Sequence, residues 1–286
     1  MRRIWFLLIL LSLALTSPVR AWGYLGHRRI NREAARIVEG SFGEFVKSNE
    51  SALAWYGPVP DYLKSIDQKE FPRHFIDADL YGTFPFKDIP ADYDSLIAKY
   101  GEDNVLSWGY LPWVIESTCD RIIRLLKQNR FDEAIFHMGR LGHYVSDLFM
   151  PLHTVKNYNG QFTGNEGVHF RWEGRLVKEY VKDIQPFGTA AVIKNPLERA
   201  LNIMRNSFNL HSQILAADTK ARKLLTPDQI SELDTYKILT YEKPYLDVLY
   251  AETKDLLHRQ LGGAVTSIAD YWLYCYTAAD SPELPD

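Results

Sequence analysis

Apolar residues recur along this chain at intervals of three and four, the spacing of one face of an α-helix. Ile30, Ala34, Ala35, Ile37 and Val38 mark such a stripe between His27 and Val38. Longer stripes run over Leu111 to Asn129, Phe131 to Phe149, Gly167 to Lys182, Leu197 to Ala217 and Tyr245 to Tyr276. Thr226-Pro227-Asp228-Gln229 reads as another helix start, with Pro at the first helical position. Apolar–polar alternation of the strand kind is scarce, and no Asn-Gly hairpin signal is flanked by it. Connectors such as Tyr81 to Tyr93 are rich in Pro, Asp and aromatics, but no shift in composition marks a linker. The pattern predicts one compact all-α domain.

The first residues follow a different logic. Arg2 and Arg3 precede an almost purely apolar run from Ile4 to Thr16, and Ser17-Pro18-Val19-Arg20-Ala21 supplies a small-residue cleavage site. That is the layout of a secretory signal peptide. The run is too short to span a bilayer comfortably, which takes about 20 residues. The reading is residues 1–21 as signal and 22–286 as one domain, exported to the periplasm or the outside with no transmembrane segment in the mature chain.

Removing 21 of the 286 residues leaves enough chain for one good core. The signal carries three arginines and no acid, so the remainder holds 30 basic against 36 acidic residues. That balance argues against a nucleic-acid binder working through a basic surface. An enzyme whose own metal ions supply positive charge stays open. The two cysteines, Cys119 and Cys275, make one disulfide or none, and they are too few for a thiolate zinc site.

Any metal must therefore rest on His, Asp and Glu. His143 and Asp147 are four apart on a predicted helix, so both side chains stack on one face about 6 Å apart. Pro151 should bend or end that helix and swing His153 back towards the same place. His169 and Glu173 repeat the four-residue spacing. Imidazole and carboxylate without thiolate suit a catalytic zinc that keeps a position open for water. One such pair alone is more often an ordinary hydrogen-bonded pair. Two, joined by a displaced third histidine, are harder to dismiss. His137, His211 and His258 have no comparable carboxylate and read as ordinary histidines. Cleavage after Ala21 would expose the amine of Trp22 in Trp22-Gly23-Tyr24-Leu25-Gly26-His27, and a free α-amine gives up its proton to a metal at modest cost. Asp61 and His74 lie in Pro60-Asp61-Tyr62-Leu63-Lys64 and Arg73-His74-Phe75-Ile76-Asp77.

Together these segments resemble the superfamily of zinc-dependent phospholipases C and single-strand-specific zinc nucleases, in order from Trp22 to Glu173. The resemblance implies a helical fold with three zinc ions. Asp61, His74, His143 and Asp147 would hold one, and His153, His169 and Glu173 a second. The third would take the Trp22 amine and carbonyl, His27 and the far oxygen of a bridging Asp147. It also implies a secreted phosphodiesterase in which a hydroxide-like bridging water attacks phosphorus in line. Asp61 would orient that water or accept its proton, and Lys64 would face the phosphate.

On substrate the resemblance divides. The Trp-Gly-x-x-Gly-His start and His74-Phe75-Ile76-Asp77 look like the nucleases, with Asp77 placed to read a base edge. The short interval from His153 to His169, the final Glu173, and the aromatics Tyr62 and Phe71 look like the phospholipases, where such rings suit a quaternary ammonium. Leu25 stands where the phospholipase pocket adds an acid, and Phe149-Met150 replaces a polar pair, making the rim more apolar. The reading is a phospholipase C-like hydrolase that touches a membrane surface transiently. The alternatives are a single-strand nuclease and, behind it, a secreted zinc-binding module without turnover.

Overall fold

Helices form along every stripe within the described residues, and the Pro-rich connectors hold shorter helices that the pattern did not announce. The computed structural model describes residues 22–226 and 243–285, with no strand among them. The leader predicted over 1–21 and the helix start predicted at Pro227 lie outside these residues. In order the helices are α1 (Gly23–Arg36), α2 (Gly40–Ser48), α3 (Glu50–Tyr56), α4 (Val59–Leu63), α5 (Ala78–Tyr81), α6 (Tyr93–Tyr100), α7 (Glu102–Trp108), α8 (Leu111–Lys127) and α9 (Phe131–Leu148). Helix α10 starts as Val168–Phe170, widens into π turns over Arg171–Leu176 and continues as Val177–Tyr180. Then come α11 (Pro196–Phe208), α12 (His211–Arg222) and α13 (Lys243–Ala278).

The stripe over Leu197 to Ala217 is thus two helices, not one. The Leu210 N–H turns back to Ser207 O at 2.9 Å, a three-residue step that tightens the last turn, and the chain restarts at His211. Helices α8 and α9 form a hairpin. Asn129, at φ 55°, closes α8 in the left-handed conformation that Asn tolerates better than most residues. Their facing stripes bury Ile115, Cys119, Ile122 and Leu126 from α8 and Ala134, Met138, Leu141 and Val145 from α9. Each large apolar side chain so buried stabilises the fold by about 1.5–3 kcal/mol.

Helix α9 is the axis of the fold, packed against α1, α3, α8 and α13. From Leu141 to Leu148 every residue is buried, so this half has no solvent face. Asn31 of α1 fixes the spacing, donating through Nδ2 to Leu53 O and Gly139 O, both at 2.9 Å. Gly142 makes room for it, because a Cβ there would lie 2.0 Å from Asn31 Oδ1. The open question of the cysteines is answered here: Cys119 and Cys275 are buried free thiols on α8 and α13, with Cys275 Sγ 3.9 Å from Cys119 O. No helix among the described residues is long and apolar enough to cross a membrane.

Candidate metal centre

The buried half of α9 delivers His143 and Asp147 into the interior one turn apart. The helix ends at Leu148, and Pro151 opens a 3-10 turn over Pro151–Thr154 that returns His153. That turn locks onto the His74 segment in both directions. Ile76 N–H donates to His153 O at 2.9 Å, and His153 Nδ1 lies 2.8 Å from His74 O. The first turns of α1 bring His27, α4 brings Asp61, and α10 brings His169 and Glu173. All seven of these histidines and carboxylates are buried, and His74 with them.

Their spacing fits divalent cations. Ligands about 2.0–2.1 Å from a tetrahedral zinc lie about 3.3 Å from each other. His74 Nδ1, His143 Nε2 and Asp147 Oδ2 lie 3.0, 3.1 and 3.2 Å apart. Asp61 Oδ1 stands 3.9 Å from both ring nitrogens. A second set pairs His153 Nε2 with His169 Nε2 at 2.9 Å and His169 Nε2 with Glu173 Oε2 at 3.2 Å. His27 Nε2 sits 3.5 Å from the other oxygen of Asp147, and His27, Asp61 and His143 form a third group of donors within 4.8 Å. Trp22 is buried beside them, its indole N–H donating to Ser146 O at 2.6 Å.

The hydrogen bonds also set the tautomers. A carbonyl only accepts, so His153 carries its proton on Nδ1 and turns the Nε2 lone pair inward. Ser146 Oγ spends its own proton on His143 O at 2.9 Å, so it accepts from His27 Nδ1, which leaves Nε2 of that ring as the lone pair. Asp61 Oδ2 and Glu173 Oε1 are buried with no hydrogen-bond donor. Such orphaned acceptors are costly unless a cation satisfies them.

Electrostatics point the same way. Burial, with the charge of Lys64 adding to it, holds His74 well below the usual imidazole range. Burial pushes His143 down to about 4 against the pull of Asp61. Both rings are therefore neutral donors at physiological pH. Burial, reinforced by Asp61 and Glu173, drives Asp147 well above the usual carboxylate range. Burial works on Glu173 too, but His169 and His153 outweigh it and hold that carboxyl down at about 2.

Three supporting residues escaped the sequence reading. Glu70, buried, takes a hydrogen bond from Tyr144 Oη, faces Arg73 at 3.3 Å, and lies 3.8 Å from His74 Nε2. Its four-residue spacing from His74 repeats the other His–carboxylate pairs, and that signal was available. Ser146, three residues after His143, left only a weaker trace. Asp218 was not legible at all. It pairs with Arg171 at 2.7 Å and takes a hydrogen bond from Tyr245, tying the π turns of α10 to α12 and α13. His137, His211 and His258 join none of the three donor groups.

A cavity of about 420 Å³ opens onto this centre, lined by Lys64, Phe71, His74, Asp77, His153 and His169 together with Ser65, Phe75, Ser107, Leu152 and Tyr158. Of the residues assigned to substrate, Phe71 and Asp77 lie in it. Tyr62 does not line it; half-exposed, it packs edge-on against Tyr24, with ring centroids 6.2 Å apart. Burial and the neighbouring Asp79 raise the Asp77 carboxyl to about 7.

No protein-family model matches the chain, and no curated protein matches it in sequence. Among solved structures it is similar to the alpha-toxin of Clostridium perfringens from an avian strain, with a TM-score of 0.53 and 13% identity. It is similar also to the alpha toxin of Clostridium absonum, at 0.51 and 11%. Each match covers 93% of this chain and 66% of the toxin, so the chain spans just under two thirds of their length. The all-helical fold expected from the sequence is the fold of this protein, and it is shared with these two toxin structures.

Proposed function

We propose that the chain is an exported zinc hydrolase of phosphodiester bonds that acts on phospholipids in the manner of a phospholipase C. The observation that carries this reading is the convergence of buried imidazole and carboxylate donors at one end of a largely apolar cavity. Asp61, His74, His143 and Asp147 would hold one ion, and His153, His169 and Glu173 a second. His27, the second Asp147 oxygen and Trp22 would hold a third, and cleavage after Ala21 would add the Trp22 amine to that set. Export and completion of the centre would then be one event.

Bound there, zinc would supply a Lewis acid for the phosphoryl oxygens and an activated water as nucleophile. The chain's own groups do the rest. Asp61 Oδ2, which has no donor of its own, accepts a proton from the attacking water, while Lys64 Nζ holds the other oxygen at 2.6 Å. Lys64 also lines the cavity and sets a positive charge against the phosphate. Phe71 offers a ring face to a quaternary ammonium head group. A second reading, single-strand nuclease, is favoured by Phe75 and Asp77 in the same cavity. One ring can stack on a base, and a carboxyl titrating near 7 can donate or accept at its edge.

The zinc-loaded protein, assayed in one buffer on phosphatidylcholine vesicles and on single-stranded DNA with Asp147→Asn as control, tests both. Diacylglycerol release that the control loses supports the phospholipase, and nucleotide release supports the nuclease. Retained zinc with no turnover on either substrate overturns both and leaves a binding module.

A further inference from the structure

Five large apolar side chains stand exposed on three of the stretches of chain that line the cavity. Phe71 and Tyr158 line it and are 57% and 44% exposed. Ile66, 82% exposed, follows the lining residue Ser65, and Leu106, 40% exposed, precedes the lining residue Ser107. Phe162, 65% exposed, rides on the loop of Tyr158, its N–H held by Asn157 Oδ1 at 2.9 Å. A single exposed apolar residue needs no explanation, but five on three stretches that line one cavity do.

Their chemistry narrows the partner. Ile66 and Leu106 are aliphatic and cannot stack on a base, which is how single strands are held. Both suit the boundary between head groups and acyl chains of a bilayer, as Phe and Tyr do. The rim carries charges of both signs. Lys64 is paired with Asp61. Asp67 and Asp79 stand beside Lys69 and Lys156, accepting hydrogen bonds from their backbone N–H groups. The Lys156 ammonium lies 5.9 Å over the Phe162 ring. A rim of mixed charge, with no cluster of lysines or arginines, on a net acidic chain matches a zwitterionic surface better than an anionic one.

We propose that this rim docks the protein on a zwitterionic phospholipid surface, with Ile66, Leu106 and Phe162 entering the interface and the cavity mouth facing the head groups. This goes beyond the chemistry of hydrolysis and rests on the lipid reading of the site.

The test separates docking from turnover. Zinc-loaded protein is sedimented with phosphatidylcholine vesicles, and its turnover is measured on a short-chain phosphatidylcholine kept below its micellar concentration. Ile66→Asp and Phe162→Asp, neither of which lines the cavity, should each lower vesicle partition about tenfold and together about a hundredfold. Their turnover on the monomeric substrate should stay within about twofold of wild type. Ile66→Trp should raise partition while turnover of the monomeric substrate stays at the wild-type level, a pair of results that a misfolded variant cannot give. Unchanged partition in the double variant overturns docking, as does loss of single-stranded DNA binding in its place. Normal partition with no turnover of the monomeric substrate upholds docking and overturns the hydrolase reading instead.

Discussion

Helices α9 and α10 carry the same device, a histidine and a carboxylate four residues apart, and hold it by different means. In α9, His143 and Asp147 sit on a regular helix buried without a break from Leu141 to Leu148. Close packing holds them, with the neutral Asn31 setting the spacing to α1 and α3. In α10, His169 and Glu173 straddle the entry to π turns, and Arg171 between them is anchored by Asp218, Asn165 O and Glu166 O. Polar bonds to a distant helix fix these. The two carboxylates also differ in state, with Asp147 pushed up and Glu173 pulled down to about 2. One sequence spacing therefore encodes two physical solutions, and the difference lies in what surrounds each pair.

The largest effect expected is at Asp147, whose two oxygens face His74 and His143 on one side and His27 on the other. Asp147→Asn should cut turnover about a thousandfold or more and lower zinc content by more than one ion per chain. Glu173→Gln, serving one group of donors, should lose a single ion. Equal losses by elemental analysis would break the claim that α9 serves two sites and α10 one.

Next comes the charged anchor of α10. Asp218→Ala strands the buried Arg171 guanidinium and should cost about 3–5 kcal/mol. That should lower the melting temperature by about 10 °C in a chain of this size. Zinc should leave the His153, His169 and Glu173 set at a lower chelator concentration than it leaves His74, His143 and Asp147. Simultaneous release would mean that the anchor holds the whole core and not α10 in particular.

The opposite shifts of the two carboxylates give a pH test. A raised folded-state pKa means that metal-free Asp147 takes up its proton at higher pH than an ordinary carboxylate and must release it to bind a cation. Glu173 stays ionised down to about 2 and has no proton to give. Calorimetry in buffers of different ionisation enthalpy should therefore record proton release from Asp147 when the α9 set fills at a pH below its raised pKa, and none from Glu173 when the α10 set fills. As pH falls, the α9 set should lose affinity first. A reversed order would sink the assignment.

Much of this was legible in the chain. The stripes predicted the long helices because burial on one face leaves a period of 3.6, and the His–carboxylate spacing stood out because α-helices stack i and i+4. Pro151 foretold the return of His153 through its missing N–H. The supports were harder to see. Asp218 lies 47 residues from Arg171, a pairing that no local pattern encodes. The break at Asn209 follows from a single hydrogen bond moving one carbonyl forward, with no Pro or Gly to mark it. Tyr62 was placed at the substrate by the family resemblance alone; its ring packs against Tyr24 and does not line the cavity, since it points about 100° away from Asp61 on the same helix.

The smallest effects discriminate the two helices most finely. Gly142 of α9 has no room for a side chain, since its Cβ would strike Asn31 Oδ1 at 2.0 Å and Asn31 is itself pinned to α3 and α9. Gly142→Ala should therefore cost about 1–3 kcal/mol by overpacking. Gly174 in the π turns meets only the Phe170 ring, at 3.3 and 3.4 Å, and that half-buried side chain can move a few tenths of an ångström. Alanine there also restricts the unfolded chain, which favours folding by about 0.4–1 kcal/mol where the backbone is compatible. Gly174→Ala should leave stability within about 1 kcal/mol of wild type and zinc content unchanged. Thermal melts of the two variants side by side would decide it. A Gly174→Ala variant as unstable as Gly142→Ala would mean that α10, too, is held by close packing, and the contrast between the helices would fall.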